Sequence, residues 1–370
     1  MRARPMISPV VAAVMAGFAA LLGLTTHALA GEEEVSFAGS GGLPLRGTWT
    51  LADGDGGRDG APAVLLLQGS GATDRNGNQA DRPRGDLMAE LAEALADEGV
   101  ASLRFDKRGM HANAAQRPVV VTGRAGSGPD TGALAAFFAW EAMAGDAARA
   151  LAYVAGREDS DPARLGIVGH SQGATLALAA LTAADTPTPP VKALGLLASP
   201  SRPATAVIRR QVVRRLDRWG LDGEARDSLL TINDKITAEI IETGRVPRGV
   251  PPLFDHMYPS YAGPFLKGWL TFEPLAAVMA VARPTLVVIG GADTQVSARD
   301  DGARFLRVLQ DRNDGSVILL PERVGHALQR MGAGATDNPD PEDGQTLRKT
   351  PWTPDDELLE TVAEWVAAAL

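Results

Sequence analysis

The sequence predicts an α/β fold: a mostly parallel sheet with helices on both faces and an inserted helical cap. Three observations carry that expectation. Short, almost wholly apolar runs recur between amphipathic helical stretches, the pattern of strands buried on both faces. The first two strand-like segments instead alternate apolar and polar residues around Gly41-Gly42, as an antiparallel hairpin does. Residues 201–281 interrupt the alternation with helical patterns and no strand.

In chain order, residues 1–30 come first. Arg2 and Arg4 precede the apolar run VVAAVMAGFAALLGL, and HALA places small residues at Ala28 and Ala30. This is the pattern of a secretory signal peptide, so residues 31 onward are expected outside the cytoplasm, secreted or periplasmic. The run is short against the roughly 20 apolar residues that a membrane span needs. No stable membrane insertion of the mature chain is expected. The hairpin EVSFAG/LRGTWTLA follows, then apolar strands at 62–69, 100–106, 164–170, 191–199, 284–291 and 316–322. Helical stretches at 86–99 and 142–156 separate the earlier strands, and DDELLETVAEWVAAAL closes the chain as an amphipathic helix. The expected organisation is a core of residues 31–200 and 282–370 with a cap of 201–281. An insertion after the sixth strand sits over the carboxyl ends of the strands, where open sheets bind ligands.

Composition removes several classes of chemistry. Zero cysteines exclude disulfides, thiolate catalysis and cysteine-ligated metal. A formal net charge of −9 argues against nucleic acid as a partner. The arginines at 209, 210, 214, 215 and 218 read as a solvated helix face rather than an anion site.

One motif carries chemistry. RLGIVGHSQGATLALAAL runs a strand into Gly169-His170-Ser171-Gln172-Gly173 and straight on into a helix. Glycines two residues either side of a serine let strand and helix pass closely and lift the hydroxyl clear; G-x-S-x-G in this setting is a nucleophile elbow. A serine hydroxyl needs a base, and the base an orienting acid. Of five histidines, His27 falls in the leader, His170 lies within the elbow with its ring directed away from the hydroxyl, His111 precedes the serine, and His256 is in the cap. His326, after the last strand, is the expected base. Asp293, just past PTLVVIGG, is the expected acid, whereas Asp300 and Asp301 lie on the next helix and are suited to salt bridges. The oxyanion of a tetrahedral intermediate needs two donors. The backbone N–H of Gln172 is one, and Ser70, beyond Gly69, is the other by position, with Gly71 in reserve. In the cap, Phe254 and Tyr258 belong to a Pro-rich aromatic stretch without helical period and are expected to line the substrate pocket.

LLLQGSGATDRNGN, LRFDKRGM, GIVGHSQGA and PTLVVIGGADTQV, with the late VGH, resemble the α/β-hydrolase superfamily, in the branch of bacterial serine esterases near the serine aminopeptidase and dienelactone-hydrolase-like groups. The resemblance covers the chain from about residue 60 to its end. It implies an α/β-hydrolase fold and a serine hydrolase acting on small-molecule acyl esters through an acyl-enzyme, with no metal or organic cofactor. It also implies that Asp106 and Arg108 of the DKRG turn brace loops rather than react. Two departures stand out. Gln68-Gly69 replaces the usual His-Gly, and the chain runs on from DKRG into MHANAAQRP. A peptidase or amidase on the same triad, or a non-catalytic ligand-binding protein of the same fold, are the alternatives.

Overall fold

The computed structural model describes residues 31–54, 60–80, 84–119, 121–122, 129–184, 186–332 and 353–370. The signal-peptide expectation lies outside these residues. The strands of the main sheet are β1 Glu32–Ala38, β2 Pro44–Thr50, β3 Ala61–Leu67, β4 Ala101–Phe105, β5 Ser160–His170, β6 Ala193–Leu197, β7 Thr285–Val288 and β8 Val317–Leu319. Their spatial order is β1-β2-β4-β3-β5-β6-β7-β8. β2 pairs antiparallel with both β1 and β4; every other pairing is parallel. All eight strands sit where the apolar runs and the alternating hairpin place them. A two-residue ribbon, Val121–Thr122 with Pro129–Asp130, lies outside the sheet.

The parallel strands are largely apolar because both their faces are covered, and the buried Arg104 of β4 is satisfied by Asn76, Thr50 and Glu32. Alternate residues point to opposite faces. Ala63, Leu65 and Leu67 of β3 join one cluster, and Val64 and Leu66 the other. The helices, in chain order, are α1 Leu87–Asp97, α2 Gly132–Phe137, α3 Trp140–Ala155, α4 Gln172–Thr182, α5 Ala204–Arg218, α6 Gly223–Thr243, α7 Gly263–Thr271, α8 Pro274–Val281, α9 Ala303–Leu309 and α10 Asp356–Ala369. One face of the sheet carries α3, α4, α8 and α9 through Leu151, Leu178, Val278 and Phe305. The other carries α1 and α10 through Leu91, Leu95, Val362 and Val366. Each such aliphatic or aromatic side chain removed from water contributes about 1.5–3 kcal/mol. Among the described residues no helix is long and apolar enough to cross a membrane.

The cap is α5, α6, α7 and the turn at Pro252–Phe254, with its own core of Ile208, Val212, Leu216, Ile236, Ile240, Phe254, Tyr258 and Leu266. It ends earlier than the expected residue 281. Helix α8 buries Ala277 and Val278 in the main core, because Pro274 starts a new helix after the extended residue Glu273. Tyr261, Phe265 and Trp269 are half-buried against both clusters and bind the cap to the core. Tyr261 packs beside Phe138 and Phe265 beside Trp140, with ring centroids 5.8 and 5.7 Å apart.

Candidate active site

Strand β5 ends at His170 and α4 begins at Gln172, leaving Ser171 alone to reverse the chain. It does so at φ 53°, ψ −119°, a left-handed backbone that a residue with a Cβ adopts only under strain. The flanking glycines permit the turn. A Cβ on Gly169 would stand 2.4 Å from the Ala174 nitrogen, and one on Gly173 would stand 2.2 Å from the Leu67 carbonyl oxygen. No side chain fits at either position, so α4 can lie against the end of β3 only with glycine there.

Beyond β7 the chain turns at Gly290-Gly291, where added Cβ atoms would meet the Val324 and Glu322 carbonyls at 2.0 and 2.7 Å. That close passage brings the loop after β8 over the loop after β7. His326 Nε2 lies 3.0 Å from Ser171 Oγ, and His326 Nδ1 lies 2.8 Å from Asp293 Oδ2. The Asp293 side chain is fully buried, and its Oδ1 accepts from the backbone N–H groups of Gln295 and Val296 at 2.7 and 2.9 Å. These bonds suit an ionised carboxylate and leave the other oxygen to accept from the His326 Nδ1–H. The ring then presents bare Nε2 to the serine hydroxyl, the arrangement for taking its proton.

The remaining histidines have other partners. His170 Nε2–H donates to the His326 backbone carbonyl at 2.7 Å, holding the loop after β8 against the serine turn. Burial, with the nearby His326, pushes the His170 pKa down to about 3, so the ring stays neutral. His111 Nε2 bonds the Ala72 carbonyl, and His256 Nε2 meets the Arg215 guanidinium at 2.9 Å. Asp300 and Asp301 form the salt bridges expected of them, with Arg210 and Arg202, each at 2.7 Å.

Gln172 is the first residue of α4, so its N–H has no carbonyl partner within the helix and is free for an oxyanion. Ser70 is exposed directly after buried Gly69, whose Cβ position lies 3.6 Å from the Ser171 Cβ. The oxyanion candidates therefore border Ser171. Gln68 is buried and donates through Nε2 to the Phe105 carbonyl at 2.9 Å, tying β3 to β4 beneath the loop. Asp106 holds Arg75 of the same loop, and Arg108 grips Asp146 of α3 through two bonds of 2.6 Å. Both residues brace.

Two expectations need correction. Phe254 and Tyr258 are each 2% exposed and sit in the cap's own core, with the Tyr258 hydroxyl donating to Asn233 Oδ1 at 2.7 Å. They are packing residues because three cap helices close over them. The α5 arginines are not simply solvated: Arg209 pairs with Asp234, Arg210 with Asp300, and Arg214 donates to the Thr294 carbonyl at 2.9 Å. The last two contacts tie the cap to the loop that follows Asp293. The anchoring contact of His170 and the burial of Lys107 were not legible beforehand, because a sequence signals the packing of polar residues only weakly.

No protein-family model matches the chain, and no curated protein is similar to it in sequence. Solved structures are similar to it in fold. DcsB, in complex with its substrate analogue, matches 92% of this chain and all of its own length at TM-score 0.51 and 14% identity. The Pyrococcus furiosus esterase Pf2001 matches over 99% of this chain and 95% of its own, at TM-score 0.48 and 15% identity. The hyperthermophilic esterase from the archaeon Pyrobaculum calidifontis matches over 91% and 85%, at 0.49 and 17%. Likeness at such identities speaks for the fold alone. With an open sheet of one antiparallel and seven mutually parallel strands, a strained serine turn between β5 and α4, and a cap inserted after β6, the chain has the α/β-hydrolase fold.

Proposed function

We propose that the protein is a secreted or periplasmic serine hydrolase that cleaves carboxylic esters of small molecules. The observation that carries this reading is the unbroken chain from Ser171 Oγ to His326 Nε2, and from His326 Nδ1 to buried Asp293, on a strained turn. In this reading Ser171 Oγ attacks the ester carbonyl carbon as His326 Nε2 takes its proton. The carbonyl oxygen becomes an oxyanion held by the N–H groups of Gln172 and Ser70. Its collapse breaks the bond to the alcohol, which leaves with the proton from His326, and an acyl-Ser171 ester remains. Water, deprotonated by His326, then attacks that ester; the bond to Ser171 Oγ breaks as His326 returns the proton to it, and the acid is released. Asp293 stays ionised throughout, fixing the ring and stabilising the imidazolium. The leader pattern at 1–30 supports export.

A panel of nitrophenyl esters set against aminoacyl anilides tests the ester assignment. Turnover of esters with a burst of nitrophenol is expected; preferential turnover of the anilides would make the protein an amidase or peptidase on the same residues. Hydrolysis of neither would leave a ligand-binding role.

A further inference from the structure

Lys107 is an unusual residue for its place. It follows β4, is 6% exposed, and among the described residues no carboxylate pairs with it. Its Nζ instead donates to the Gly69 carbonyl at 2.5 Å, the Gly71 carbonyl at 3.0 Å and the Thr73 hydroxyl at 2.9 Å. The Thr73 hydroxyl in turn donates to the Gly69 carbonyl at 3.1 Å. A buried ammonium is expensive, and it persists only where hydrogen bonds satisfy it. Here all three of its protons converge on one loop, the loop that borders Ser171.

Two further carbonyls of that loop are also held. Ser70 O accepts from Gln79 Nε2 at 3.1 Å, and Ala72 O contacts His111 Nε2 at 2.9 Å. The amides of Ser70, Gly71 and Ala72, in contrast, donate to no acceptor among the described residues. Peptide geometry links the two facts. In a trans peptide the carbonyl of one residue and the N–H of the next point in opposite directions, and this chain has no cis bond among the described residues. Drawing Gly69 O onto buried Lys107 therefore turns the Ser70 N–H away from Lys107, in a loop whose Gly69 lies against His170 and Ser171.

We propose that Lys107 is a positioning residue that pins the Gly69 and Gly71 carbonyls so that the Ser70 amide is preorganised as an oxyanion donor. This rests on the serine-hydrolase reading above. Burial pushes the Lys107 pKa down to about 7, yet the neutral amine keeps two donors for the two carbonyls and can accept from the Thr73 hydroxyl. The bracing thus survives loss of the proton. Other charged or titratable groups near the ammonium are His170 of the elbow, whose own pKa the Lys107 charge helps to lower, and Asp146 of α3, which shares a small apolar cavity with it and is paired to Arg108.

The test compares full-length wild type with Lys107→Met and Lys107→Gln. The readouts are melting temperature, acylation rate and KM with a nitrophenyl ester, inhibition by an alkyl boronic acid that forms a tetrahedral adduct, and all rates at pH 6.5 and pH 9. Loss of an oxyanion donor is expected to slow acylation about 10²- to 10³-fold and to weaken boronate inhibition in parallel. KM should stay within about threefold, since the ground-state carbonyl needs the donor less. The ratio of wild type to variant should be equal at both pH values. A folded variant with unaltered acylation, or a ratio that collapses toward one at pH 9, overturns the proposal; the latter would show an effect of charge alone. Failure of both variants to fold would also overturn it, making Lys107 a stability residue. An inactive wild type, by contrast, refutes the serine-hydrolase reading itself.

Discussion

Replacing Asp293 by asparagine isolates what the acid does. The buried carboxylate accepts three bonds: Oδ1 from the Gln295 and Val296 amides, and Oδ2 from His326 Nδ1–H. Asparagine is isosteric and keeps its carbonyl for the two amides. Its NH2 then faces His326 Nδ1 and makes that nitrogen an acceptor, so the ring proton moves to Nε2. A ring protonated at Nε2 donates to Ser171 Oγ and can no longer take its proton. In the chymotrypsin example of the same change, kcat falls about 10⁴-fold with the geometry intact, and we expect about 10³- to 10⁴-fold here. Exchanging charged for neutral acceptors at two backbone amides costs about 1–2 kcal/mol, so the protein stays folded with a modestly lower melting temperature. Burst kinetics with a nitrophenyl ester, beside a melting curve, read both numbers. Turnover within tenfold of wild type in a folded Asp293→Asn protein would refute the assigned tautomer and with it the role of the acid.

Other expectations are briefer. Ser171→Gly should abolish turnover yet raise stability by about 1–3 kcal/mol, since glycine adopts φ 53° without strain; a denaturant midpoint that falls would contradict the strained-turn reading. Tyr258→Phe should lower stability by about 1–3 kcal/mol by leaving Asn233 Oδ1 unpaired, with the acyl-length profile unchanged. A shift in that profile would return Tyr258 to the pocket wall. His170 titrates near 3 in the native state against about 6.5 unfolded, so between those values the unfolded chain binds the extra proton. Its contribution is fully present above about pH 6.5 and is lost as pH falls, with a slope of up to about 1.4 kcal/mol per pH unit. Denaturant titrations from pH 7 to 4 should be flatter in His170→Gln; equal slopes would show that the ring is not held neutral.

The hairpin strands were legible from their alternation, and the later strands because a strand covered on both faces is largely apolar, which Ala63–Leu67 and Leu194–Leu197 announce directly. The serine turn was legible because only glycine fits at 169 and 173. Asp293 and His326 could be placed by elimination, since few histidines exist and the strand ends are sharply marked. What escaped depends on packing between segments distant in sequence. Phe254 and Tyr258 look like pocket aromatics until α5, α6 and α7 close around them. Helix α8 looks continuous with the cap, although Pro274 at its first turn was an available signal of a fresh start. Nothing in DKRG marks Lys107 as buried; its burial follows from β3 and β4 ending side by side, with the Gly69–Thr73 loop folded over its ammonium.

In the proposed mechanism His326 and Asp293 make the Ser171 hydroxyl nucleophilic. Reaction with a fluorophosphonate probe, followed by mass mapping of the modified peptide, measures that directly. We predict a single adduct on Ser171, absent in Ser171→Ala and slowed by several orders of magnitude in His326→Ala. No adduct on folded wild-type protein, or an adduct formed equally fast without His326, would contradict it.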